Sequence, residues 1–196
     1  MVSLCITVDK IEHDLRSMHG GRIGRIIPEG EVSAYPLPTA DAGPAIIAAG
    51  AGGALWFTEH RGNNIGRIST DGSTFEYPLP TPKAGPFGIA AGPDGAVWFV
   101  EIMADRIGRI TTAGRIVEYP LRTPGARPHA IIAGSDGALW STQWGSNHIG
   151  RITVTGDVSE YAIPTPGSEP HGIVAGPDGA LWFAEEAGKI GRLVPA

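Results

Sequence analysis

Residues 91–110 read AGPDGAVWFVEIMADRIGRI. The Pro93-Asp94-Gly95 triplet is a tight-turn signal, Val97-Trp98-Phe99-Val100 is a run of strand formers, and Asp105-Arg106 turns the chain into Ile-Gly-Arg-Ile. The parts of this stretch recur. Ile-Gly-Arg-Ile begins at Ile23, Ile65, Ile107 and Ile149, each 42 residues after the last, and Ile-Gly-Arg-Leu begins at Ile190, 41 further on. Trp56, Trp98, Trp140 and Trp182 keep the same 42-residue step, as do Tyr35, Tyr77, Tyr119 and Tyr161. A fixed period of this size marks a repeat architecture and outranks local propensity.

Each unit holds four short extended segments, which in the last unit are 149–154, 159–163, 172–175 and 180–185. Four strands per unit of this length describe a β-propeller blade. The expected fold is all-β: a propeller of about four four-stranded blades over 21–196, partial or truncated, behind an unmatched N-terminal extension at 1–20. The recurring Trp and Phe are expected to pack between blades. The arginines of the tetrapeptide (Arg25, Arg67, Arg109, Arg151, Arg192) are expected to make bonds between blades or to sit as solvated edge charges. Asn63, Asp105 and Asn147 fall where a turn tolerates positive φ.

Composition narrows the function classes. A net charge of -5 argues against nucleic acid as a partner, because phosphate binding needs a basic surface. The one cysteine, Cys5, excludes an intramolecular disulfide, and no apolar run reaches the ~20 residues a membrane helix needs. The start lacks a basic region before its apolar stretch, so no signal peptide is read and a cytoplasmic location is expected.

Comparing the copies separates scaffold from chemistry. One loop position reads Gly43, Gly85, Arg127, Glu169; two residues on it reads Ala45, Phe87, His129, His171. Residues this different show that the fold demands none of them. The position after Trp-Phe-x reads Glu59, Glu101, Gln143, Glu185, and there a scaffold role competes evenly. If Pro177-Asp178-Gly179 closes a hairpin with Gly176 opposite Ala180, His171 faces Glu185 and Glu169 shares its face, while Glu186 points away into solvent. Two carboxylates with room for water suit Mg²⁺, and an imidazole beside them suits a general base. The plainer alternative is a surface glutamate and a loop histidine, each satisfied by water.

From about Gly24 onward the sequence resembles the virginiamycin B lyase family. The resemblance rests on the blade phrases AGPDGALWF, IGRI and EYPLPTP, and on His129, Glu169-Pro170-His171 and Glu185. It implies a seven-bladed, Mg²⁺-dependent enzyme of antibiotic resistance. Such an enzyme opens streptogramin B depsipeptides at the ester between a threonine side chain and a C-terminal carboxylate, by elimination. It assigns the metal to Glu169 and Glu185, the base to His171 and substrate holding to His129. Seven units of this period need roughly 290 residues, so four periods leave apolar blade faces that call for ring closure or self-association. The competing functions are a non-catalytic propeller that binds a peptide or protein, an inactive truncated relative, and, more weakly, a sugar-lactone hydrolase.

Overall fold

A computed structural model describes residues 20–195; of the expected extension at 1–20, all but Gly20 lies outside that range. Seventeen strands form five antiparallel sheets. The first pairs β1 (Arg22–Ile26) with β2 (Val32–Pro36). The second runs β3 (Pro44–Ala49), β4 (Leu55–Glu59), β5 (Asn64–Ile68), β6 (Thr74–Pro78). The third runs β7 (Pro86–Ala91), β8 (Val97–Glu101), β9 (Arg106–Ile110), β10 (Ile116–Pro120). The fourth runs β11 (Pro128–Ala133), β12 (Leu139–Gln143), β13 (His148–Ile152), β14 (Val158–Ala162). The last holds β15 (Pro170–Ala175), β16 (Leu181–Glu185) and β17 (Lys189–Leu193). Each sheet is a meander, and the strands β3, β7, β11 and β15 lie side by side in that order. These are propeller blades. Three carry four strands, and the outer two among the described residues carry two and three.

The turns form where the sequence places them. Gly95, Gly137 and Gly179 close the Pro-Asp-Gly and Ser-Asp-Gly hairpins at φ 75°, 74° and 76°, and Asn63, Asp105 and Asn147 take φ 58°, 52° and 60°. The sheets are cut at a different place from the unit read in the sequence. Residues 149–163 supply the third and fourth strands of one blade, whereas 170–185 supply the first two of the next. A period gives the length of a repeat but not its phase. The cut falls at the Pro164-Thr165-Pro166 crossing, because Pro lacks the N–H that a continuing ladder needs.

Burial holds the blades together. Trp98 is wholly buried, in one cluster with Leu139 and Ile152 of the following blade, and stacks on Tyr119 at 5.7 Å. Trp56 and Trp140 repeat this, but Trp182 is 37% exposed, since no described sheet follows it. The central Gly of the tetrapeptide is a packing requirement: a Cβ on Gly108 would lie 2.0 Å from the Phe99 ring. Arg109, Arg151 and Arg192 bond to the hairpin aspartate of their own blade and not to another blade. Arg109 Nε donates to Asp94 in the hairpin turn at 2.7 Å while its guanidinium lies 5.8 Å from the Trp98 centroid; Arg151, Asp136 and Trp140 repeat the set. The same Asp94 accepts from the Trp98 indole at 3.1 Å, so one carboxylate ties turn, tryptophan and arginine together. One recurring polar link between blades is threonine to glutamate. Thr39, Thr81 and Thr123, in the crossings between sheets, donate side-chain bonds of 2.6 Å to Glu76, Glu118 and Glu160 on the outermost strands. Among the described residues no helix is long and apolar enough to cross a membrane.

Candidate active site

Every inner strand carries the same irregularity at its start. In β15 the register runs from Pro170 opposite Glu185 to Ile173 opposite Phe183, one residue longer on the β15 side; β3, β7 and β11 break in the same way after Pro44, Pro86 and Pro128. This is a β-bulge, and bulges re-aim side chains next to functional sites. The expected hairpin register holds from Gly176, whose N–H donates to the Ala180 carbonyl at 2.7 Å, to Ile173 opposite Phe183. Beyond Ile173 the bulge shifts the pairing, so Glu185 lies opposite Pro170 and His171 has no ladder partner.

The shift changes which glutamate meets the histidine. His171 Nε2 bonds Glu186 Oε1, and the carboxyl of Glu169 hydrogen-bonds Glu186 as well. Glu186, expected to point away into solvent, is therefore the hub of the site. Sequence reading missed it because the pairing rule carries no extra residue. The signal available was the proline that opens each inner strand, since Pro favours strand starts and bulges. Glu185 is buried, and its Oε2 lacks a hydrogen-bond partner. Its counterparts Glu59, Glu101 and Gln143 are buried as well.

The bulge residues form a row across the face. Phe87 and His129 have ring centroids 4.5 Å apart, His129 and His171 4.2 Å, and His60, from the turn after β4, reaches Phe87 at 6.0 Å. Burial, with the His171 ring beside it, holds the His129 pKa below its usual value. Both causes favour the neutral imidazole.

Glu169 adopts φ 46°, in the left-handed region that favours glycine; Gly43 and Gly85 hold its position in earlier blades at φ 63° and 62°, and Arg127 at 45°. A carboxylate stands there against backbone preference. Such outliers cost about 1–3 kcal/mol and gather at active sites. Contact with Glu186, its main cause, raises the Glu169 pKa, while the hydrogen bond from Glu169 lowers that of Glu186. Glu169 also lines a groove of about 390 Å³ with Gly125, Arg127, Trp144 and Asn147; Arg127 lies 5.6 Å from the Trp144 centroid.

The donor chemistry suits a hard cation. Glu169 and Glu186 shift each other's pKa, one up and one down, and a divalent ion would relieve the repulsion between the two carboxylates. The unpaired Glu185 oxygen is a further hard donor, and Mg²⁺ needs only one or two carboxylates beside its waters. No group of three or more His, Cys, Asp or Glu among the described residues is placed to hold a metal. Glu101 also leaves both its buried carboxylate oxygens unpaired, in a blade without the triplet.

The family model described as the virginiamycin B lyase family matches residues 15–193. The chain belongs to the virginiamycin B lyase family. Solved structures agree. Virginiamycin B lyase from Staphylococcus aureus is 49% identical with a TM-score of 0.87, over 91% of this chain and 61% of that one. A streptogramin B lyase is 52% identical with a TM-score of 0.86, over 90% of this chain and 59% of that one. A catalytically inactive histidine-to-alanine variant of the Staphylococcus aureus lyase, with quinupristin, aligns equally well at 49% identity and a TM-score of 0.87, over 91% of this chain and 61% of its own. The chain thus spans about three fifths of the length of these lyases. A search of curated proteins finds no match.

Proposed function

We propose that this chain is a carbon–oxygen lyase that linearises streptogramin B antibiotics by elimination at the ester bond and so confers resistance to them. The observation that carries the reading is Glu169-Pro170-His171 itself: a glutamate at a glycine-favouring φ of 46°, followed by a histidine set out of the ladder by a bulge and bonded to a carboxylate. The inactive histidine variant of the Staphylococcus aureus lyase agrees with a histidine-dependent reaction.

His171 is the base. With its Nε2–H donating to Glu186, its Nδ1 lone pair takes the α-proton of the threonine-derived residue. Electrons of that C–H bond form the α,β double bond, and the β-carbon–oxygen bond breaks to release the carboxylate. Nothing is hydrolysed, and the product has the mass of the substrate. His129, 4.2 Å from the His171 ring and favoured in its neutral form, holds the substrate. Glu169 and Glu185 are the proposed ligands of Mg²⁺, which would supply Lewis-acid polarisation of the carbonyl next to the α-carbon.

The test is mass spectrometry of quinupristin incubated with the protein, with Mg²⁺ or with EDTA, beside His171→Ala. A linear isomer that needs both Mg²⁺ and His171 supports the lyase. One observation favours a second reading, a non-catalytic binding propeller: no three ligating side chains converge among the described residues. Folded protein that binds quinupristin without converting it would favour that reading.

A further inference from the structure

We infer that Thr142, on the neighbouring blade, is the positioning residue that sets His171; the inference rests on the reading of His171 as the base. In the β15–β16 ladder His171 and Gly172 have no partners, because the register passes from Pro170 to Ile173 across the bulge. Gly172 gives no stiffness either, since nothing lies within 4 Å of where its Cβ would be. The main chain of the base therefore has no register partner in its own sheet at this point.

Thr142 makes the missing bond. It is wholly buried on β12, and its Oγ1 donates to the His171 carbonyl at 2.6 Å while accepting from the Ala130 N–H at 3.1 Å. One hydroxyl links β11, β12 and the bulge of β15. Its rotor is held at both ends, so the bond fixes a distance and an orientation.

The chain contains its own control. The equivalent positions are Thr58, Val100, Thr142 and Ala184. Val100 is wholly buried in the same setting, so the fold accepts an isosteric side chain without the hydroxyl. Thr58 repeats the strut, donating to the Phe87 carbonyl at 2.7 Å. The two threonines thus hold Phe87 and His171, the rings on either side of His129.

Thr142→Val, Thr142→Ser and His171→Ala are compared with the parent by steady-state turnover of quinupristin, by melting temperature and by carbon-13 NMR of the histidine rings. The His171 signal is identified by its loss in His171→Ala. Thr142→Val is expected to fold, to lower kcat about tenfold with KM changed less than about threefold, and to shift or split the His171 signal while leaving that of His148 in place. Thr142→Ser is expected to restore both. Parental kcat in Thr142→Val with an unmoved His171 signal overturns the inference, as does a kcat loss that serine fails to recover. Parental turnover in His171→Ala overturns instead the reading of the base, and the NMR comparison still decides whether Thr142 sets the ring.

Discussion

His171 bonds Glu186, one residue beyond the Glu185 that a regular hairpin would bring to it. The two glutamates thereby have different duties. Glu186 is exposed and holds the imidazole, whereas Glu185 is buried behind the triplet. Glu186→Ala should lower kcat about tenfold to a hundredfold with the melting temperature unchanged, because the side chain is solvated. Glu186→Gln still accepts from Nε2 and should lose less. Stopped assays read by mass spectrometry distinguish the two.

Glu169 sits where the scaffold favours glycine. Glu169→Gly should abolish turnover without lowering stability, and should raise it by up to about 1 kcal/mol as the left-handed strain is released against the added freedom of the unfolded chain. Urea titration measures this. A clear loss of stability would mean that Glu169 is held for the fold.

Burial, with Glu118 nearby, raises the pKa of Glu101 from 4.5 to about 8. The unfolded chain releases this proton near pH 4.5 while the folded chain keeps it, so the Glu101 contribution is complete below that pH and is lost as pH rises toward 8. Glu101→Gln should therefore gain roughly 2–4 kcal/mol over the parent at pH 8 and little at pH 5. Paired melting curves at the two pH values check the sign.

If Glu169 and Glu185 hold Mg²⁺, the ion should raise the melting temperature of the parent and leave Glu169→Gln/Glu185→Gln unmoved. An equal rise in both would place the ion elsewhere.

Most of the fold was legible because a propeller writes its architecture as a period. Trp56, Trp98 and Trp140 mark the interfaces, and Gly95, Gly137 and Gly179 mark the hairpins. That His129 and His171 occupy one position of the repeat was legible too, whereas the meeting of their rings emerged only with the structure. The phase of the blades was not, because 42-residue spacing is the same wherever the sheet is cut. The bulge was not, because it adds one residue without disturbing that spacing, and with it went Glu186. The partner of Arg109 was not legible, because Asp94 lies 15 residues away and meets it only once the meander is built.

The most direct test of the elimination is the conversion of quinupristin in oxygen-18 water, read by intact mass. A linear product with the mass of the substrate and no label, absent with His171→Ala, is the predicted result. A product heavier by one labelled water would contradict it, since the ester would then have been hydrolysed.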